Sequence, residues 1–295
     1  MGSTNPLAVT TGPRPATFPD GSRVTLAPDR DPREVFADWL IDAKNPWFTQ
    51  NIANRVWAWL VGRGIIDEPD DVRPDNPPSN PELLAYLEQQ LVRDNYDLKQ
   101  LFREVLNSKV YQLSAVPKSD DAKAAANFAY YPVRRLEAEV LIDALDQVTG
   151  TSESYVSAIP EPYTVVPTGI RSIALPDGSI SSTFLELFGR PSRDTGLESE
   201  RNNRTTASQK LWLLNSSGIT RKLEQSRMIA FQAQSKKTPA EIASGMYLGL
   251  LSRFPTAQET KIAETYFQSS TVNKRQATVD LAWALLNSAE FQYRH

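Results

Sequence analysis

Cysteine is absent from the 295 residues, and histidine occurs once, as His295 at the C-terminal end. The first absence excludes disulfides, thiol nucleophiles, thiolate metal sites and c-type haem attachment within this chain. The second removes most histidine acid–base chemistry, and one terminal imidazole makes no metal site. No metal ligand set and no cofactor is expected. No apolar run reaches the roughly 18 residues of a membrane-spanning helix, so no span is expected. Basic charge is also in short supply: 32 Lys and Arg stand against 35 Asp and Glu, a net charge of −3, the wrong sign for a nucleic-acid footprint. What the chain does have is apolar residues at 40%, enough for a substantial core, and carboxylates as its abundant acid–base groups.

Residues 1–30, rich in Pro, Gly, Ser and Thr, lack the basic-then-apolar layout of a secretory signal and cannot support a packed helix. They read as a linker or an extended N-terminal arm. From Asp31 the punctuation is helical, and 31–295 reads as a single large helical domain of mainly α class. Asp31-Pro32, Asn45-Pro46 and Asn80-Pro81 each place a capping oxygen before a proline at the first helical position, and Asp97 caps the run after it. Phe48, Ile52, Val56 and Trp59 or Leu60 share one face of the second helix, and Leu83, Leu84, Leu87 and Leu91 form the stripe of the third. A helix is expected over 132–149, closed by Gly150 and, from its polarity, partly exposed. Thr238 and Glu241, and Thr256 and Glu259, have the spacing of capping boxes, and a last helix is expected over about 274–286.

Residues 151–204 interrupt this rhythm with five prolines and no 3.6-residue period, so they read as an irregular insertion. Within it 163–166 and 170–173 alternate and are expected to pair as a small β-hairpin. The phrase Leu-Asn-Ser recurs at 106–108, 214–216 and 286–288, each time after an apolar helical run. It reads as helix punctuation, the asparagine left-handed and the serine capping the next element. Trp39, Trp57, Trp212 and Trp283 stand in apolar helical contexts and are expected in the core.

Several short motifs occur in a fixed order: Asn54-Arg55-Val56-Trp57, Gly62-Arg63-Gly64-Ile65-Ile66-Asp67, Asp70-Asp71, and Pro78 to Leu84 with Asn80-Pro81-Glu82 at its centre. After them come Tyr96-Asp97-Leu98-Lys99, Arg134-Arg135-Leu136-Glu137-Ala138-Glu139, the 204–215 segment with Gln209, and Leu286-Asn287-Ser288-Ala289-Glu290-Phe291. In this order they resemble the C-terminal domain of unknown function 1553 of planctomycete and verrucomicrobial surface or periplasmic proteins. The resemblance implies a periplasmic or cell-surface location and a place in a longer envelope chain, beside neighbouring domains that include a cytochrome-c-like module. It implies no established reaction. The chain departs from the family pattern where histidines are expected, at Ala58-Trp59 and at Asn80.

Two polar constellations are the candidate site. The first is Arg134, Arg135, Glu137, Glu139 and Asp143, of which Arg135, Glu139 and Asp143 are spaced four apart and would share a helix stripe. The second is Arg193, Asp194, Glu198, Glu200, Arg201 and Arg204, with Arg190 before it and Gln209 after it. Such groups either hold a carbohydrate or anionic ligand, supply acid catalysis through crowded carboxylates, or form an ion network that anchors the irregular segment. Residues 201–253 carry nine basic and two acidic side chains, so a basic helical face around Arg221, Lys222 and Arg227 is expected, suited to an anionic polysaccharide or an acidic neighbouring domain. Two functions stay open. One is a non-catalytic interaction or structural module of a larger cell-envelope protein. The other is a carboxylate-dependent hydrolase or lyase acting on carbohydrate, which requires two carboxylates facing one cleft at roughly 5–10 Å.

Overall fold

The computed structural model describes residues 13–121, 123–166, 168–192, 197–202, 204–269 and 271–294. Its regular structure is almost all helix, with short two-stranded sheets only among the described residues. The chain divides into two units, Met1–Tyr131 and Pro132–His295, and each has its own apolar cluster. This division falls inside the 31–295 span that the sequence reading treats as one domain. Amphipathic stripes look alike on either side of Tyr131, and periodicity does not say which of two cores a stripe will join.

The first unit opens on an antiparallel hairpin, β1 (Arg14–Thr17) and β2 (Arg23–Leu26), with Arg14 opposite Leu26 and Thr17 opposite Arg23. The described part of the expected linker or arm is therefore folded. Helix α1 (Pro32–Ile41) comes next, and Trp39 on it stacks on Phe18 at 4.9 Å between ring centroids and donates its Nε1–H to Asp20. Trp39 is thus a half-buried platform for the hairpin, where a core position was expected. Helices α2 (Pro46–Val61), α3 (Pro81–Arg93) and α4 (Leu98–Asn107) start at Asn45, Asn80 and Asp97, and each cap oxygen accepts a backbone amide of the first turn. Ala53, Val56, Trp57 and Val61 of α2 pack with Leu84, Leu87 and Leu91 of α3 and Leu101 and Val105 of α4. Each fully buried leucine contributes roughly 1.5–3 kcal/mol, so this shared stripe holds the helices more than their propensities do.

The loop after α2 is pinned by the motif residues. Asn54 is fully buried; its amide donates to the carbonyls of Ile66 and Pro69 and accepts from the Ile66 amide. Arg55 pairs with Asp70. Gly64 is required by close approach, because a Cβ there would sit 2.0 Å from the Ile66 carbonyl oxygen.

In the second unit, strand β3 (Arg134–Arg135) precedes α5 (Ala138–Thr149), which Gly150 closes as expected. Next come β4 (Val156–Ser157), a 3-10 turn at Ser172–Ala174, β5 (Ile180–Ser181), α6 (Thr183–Leu187) and a second 3-10 turn at Glu198–Glu200. Helices α7 (Ala207–Asn215), α8 (Ser217–Gln225), α9 (Arg227–Gln234), α10 (Pro239–Leu251), α11 (Ala257–Phe267), α12 (Lys274–Leu286) and α13 (Ala289–Gln292) lead to β6 (Tyr293–Arg294). Capping boxes at Thr238 and Thr256 and the span of α12 are as expected.

Several expectations are corrected. The helix expected from 132 begins at Ala138, because Arg134 and Arg135 instead pair with Arg294 and Tyr293 as strands. It is central and not partly exposed: Leu141, Ile142 and Leu145 have no accessible surface. The small hairpin of the insertion is formed by β4 and β5 and not by 163–166 with 170–173, since Asp143 draws the amides of Ser172 and Ile173 into a turn. In the Leu-Asn-Ser phrases Ser216 and Ser288 do cap the next helix, but Asn287 has φ −85° and is not left-handed. Of the four tryptophans expected in the core, Trp57 alone is fully buried, while Trp212 is half-buried and Trp283 is 36% exposed.

Candidate functional site

Helix α5 carries the acids of the first constellation into the core of the second unit. Glu139 and Asp143 lie one turn apart with side chains 5% and 3% exposed. Burying a carboxylate is costly unless it is paired, and each is paired differently. Arg201 grips Glu139 in a fork, Nη1 to Oε2 at 2.8 Å and Nη2 to Oε1 at 3.0 Å, with Arg190 Nε 3.8 Å from Oε1. Burial alone would raise the Glu139 carboxyl; the hydrogen bonds and charge of Arg201 outweigh it and hold the group below its ordinary range. Asp143 accepts the backbone amides of Ser172 at 2.7 Å and Ile173 at 3.2 Å, with Arg171 at 3.5 Å.

Arg135 stands on β3 and not on the helix, so the expected four-residue stripe of three is only Glu139 and Asp143. Its guanidinium is buried, lies 5.2 Å from the centroid of the Phe188 ring, and donates to the carbonyl of Phe188 at 2.7 Å and to the side-chain oxygen of Gln209. Gln209 also closes the capping box of α7 with Thr206 and donates to the carbonyl of Leu187 at 2.9 Å. Gly189, at φ +87°, lets Asn202 approach: a Cβ there would sit 2.0 Å from the Asn202 carbonyl oxygen. Glu137 pairs with Arg294 at 3.3 Å. Arg134 on β3 is half-buried, as are Glu198 and Glu200 in the second 3-10 turn, which add to the field on Arg201 through Glu198; Arg204 is exposed. Arg193 and Asp194 lie outside the described residues.

The structure thus makes two polar clusters of these residues: Arg135 and Gln209 tie β3 and α7 to Leu187 and Phe188 at the end of α6, and Glu139 on α5 holds Arg201 of the insertion. Glu139 and Asp143 spend their oxygens on arginines and backbone amides, and one oxygen of Glu137 pairs with Arg294. The basic face is smaller than expected, because Lys222 turns inward to pair with Asp146 and, at 3.3 Å, with Glu153. Burial raises the Glu153 carboxyl, with Lys222 opposing, and burial pushes the neighbouring Tyr155 phenol up to about 12. No local sequence signal links Lys222 to Asp146. Also unforeseen is a clamp in which Arg253 binds Glu259 and Glu290 with two edges of its guanidinium. Glu259 was legible as a capping residue, but its second partner was not. Among the described residues no cluster of metal-ligating side chains forms and no helix is long and apolar enough to cross a membrane.

Residues 32–267, well over half of the chain, match a family model described as PSD1, a protein of unknown function (DUF1553). No curated protein and no solved structure matches the chain.

Proposed function

Because this chain belongs to the family of proteins of unknown function DUF1553, which the match over residues 32–267 establishes, we propose that it is a non-catalytic interaction or structural module of a larger cell-envelope protein. The observation that carries this reading is how the motif side chains are used. Asn54, Arg55 and Asp70 pin a loop in the first unit, and Arg135, Glu139 and Gln209 anchor the insertion in the second. A catalytic carboxylate needs an oxygen directed at substrate, and these carboxylates are directed at internal partners. The sequence resemblance supports neighbouring domains of a longer periplasmic or surface chain, a cytochrome-c-like module among them, and the polar constellations and basic face support a polysaccharide as partner.

Incubation of the purified chain with a panel of envelope polysaccharides, followed by assay for new reducing ends or unsaturated products, is expected to give no release above buffer. Turnover that is lost in Glu139→Gln or Asp143→Asn, with circular dichroism unchanged, would instead establish the carboxylate-dependent hydrolase or lyase.

A further inference from the structure

Three concavities adjoin on the second unit, away from the two polar clusters. The first, about 510 Å³, lies between α8 and α12; the second, about 670 Å³, between α10, α11 and α12; the third, about 720 Å³, along α11. The first and second share Asp280 and Trp283, and the second and third share Ile262 and Tyr266. They therefore form a row, and each junction carries an aromatic ring that reaches solvent, Trp283 at 36% and Tyr266 at 42% exposure.

Both rings are held in place by their polar ends. Trp283 donates Nε1–H to the carbonyl of Leu214 at 3.3 Å. Tyr266 donates its hydroxyl to Asp280 at 2.7 Å, and Gln276 donates to the other oxygen of Asp280 at 2.8 Å. A ring ordered in advance loses little entropy when a ligand stacks on it. Asp280 keeps acceptor capacity after these two bonds, and among the described residues no cation pairs with it.

The flanks narrow the choice of occupant. The outer concavities combine apolar walls, Leu223 and Val279 in one and Ile262 in the other, with amides and hydroxyls, Asn273, Gln276 and Thr220 in the first and Gln258, Thr265 and Ser269 in the second. A sugar ring uses both kinds of wall, its C–H face on the apolar side chains and its hydroxyls on the amides. Charges along the row are mixed and sum to −1, from Glu224, Arg275, Asp280, Arg253, Glu259, Glu290 and Lys261, which disfavours a polyanion.

We propose that this row is a binding cleft for a linear, uncharged polysaccharide. Trp283 and Tyr266 stack on the C–H faces of two sugar rings, and Asp280, Gln276 and Asn273 hydrogen-bond their hydroxyls. The assignment supplies a ligand class for the interaction role proposed for the chain and rests on that reading only in requiring no chemistry.

Isothermal titration of the full chain tests it, with hexamers of β-1,4-glucose, β-1,4-N-acetylglucosamine, β-1,4-mannose and β-1,3-glucose, their monomers, dextran sulfate, and a helical peptide of leucine and lysine. At least one hexamer is expected to bind, with its monomer weaker by at least about tenfold because subsites are linked. Trp283→Ala and Tyr266→Ala are each expected to weaken it about tenfold with the helical circular dichroism spectrum retained, a stacking loss of ordinary size. Trp283→Phe, which keeps a ring, is expected to stay within about threefold, as area is mostly retained. Failure of every hexamer, hexamer binding unmoved by both alanine variants, or binding of dextran sulfate or the peptide in place of every hexamer overturns the cleft. None of those results touches the non-catalytic reading; cleavage of a bound hexamer would overturn that reading and leave the cleft standing.

Discussion

Two arginines of the second unit, Arg135 buried and Arg201 with its side chain 16% exposed, are satisfied in opposite ways. Among the described residues no carboxylate pairs with Arg135: a glutamine oxygen, a carbonyl and an aromatic face take its charge, and burial pulls its pKa below the usual arginine value. Arg201 has a full fork on Glu139. Removing one member of a buried pair costs more than the pair contributes, because the survivor is left charged in the interior. Arg201→Ala is therefore expected to destabilise the second unit by about 3 kcal/mol, at the lower end of the range for a broken buried pair because Arg190 stays near Glu139. Adding Glu139→Gln is expected to return part of that loss. Urea unfolding of the two variants checks both statements, and a double variant no more stable than Arg201→Ala would contradict them. The polar row was legible in the sequence as residue types, Arg135, Glu139, Asp143 and Gln209 together. Its pairing was not, since Arg201 meets Glu139 and the Ser172 amide meets Asp143 through contacts that no local spacing encodes.

At the scale of elements, helix ends were legible because capping is local chemistry. Asp31, Asn45, Asn80, Asp97, Thr238 and Thr256 all cap where their neighbours imply. The start of α5 was not, because the strand that precedes it finds its partner at Tyr293, near the other end of the chain. The same division shows in the clamp. Glu259 accepts the amide of Thr256 at 2.7 Å, a local cap, and grips Arg253, which also holds Glu290 at the start of α13. The bonds from Arg253 chiefly, with those from Thr256, hold the Glu259 carboxyl down to about 2, against an ordinary 4.5. A carboxyl depressed in the folded state stabilises above its unfolded value and loses that contribution as pH falls, here between about 4.5 and 2. Glu259→Gln keeps a residue able to close the capping box but removes the charge. Its melting temperature is expected to lie below that of the parent at about pH 7 and to converge with it near pH 2. Thermal melts across that window check this, and a gap that stays constant with pH would show that the charge contributes nothing.

For the whole molecule, the family match runs from residue 32 to 267 and so takes in both units. The two apolar clusters share no residue: α2, α3 and α4 supply one, and α5 through α13 supply most of the other. The second unit also begins and ends on one ladder, with Arg134 and Arg135 of β3 paired to Arg294 and Tyr293 of β6. The hydrogen-bonded start of that unit is thereby tied to its own end. A chain of 132–295 holds a complete core, the Glu139 network and both edges of this ladder, and has the size at which a core sustains itself. It is expected to fold alone, with a helical circular dichroism spectrum and one cooperative melt. Arg201→Ala should then cost the fragment what it costs the full chain to within about 0.5 kcal/mol, the limit within which distant sites behave independently. An unfolded fragment would mean that the second unit draws stability from residues before Pro132. A much larger penalty in the full chain would place part of the Glu139 network's effect outside its own unit.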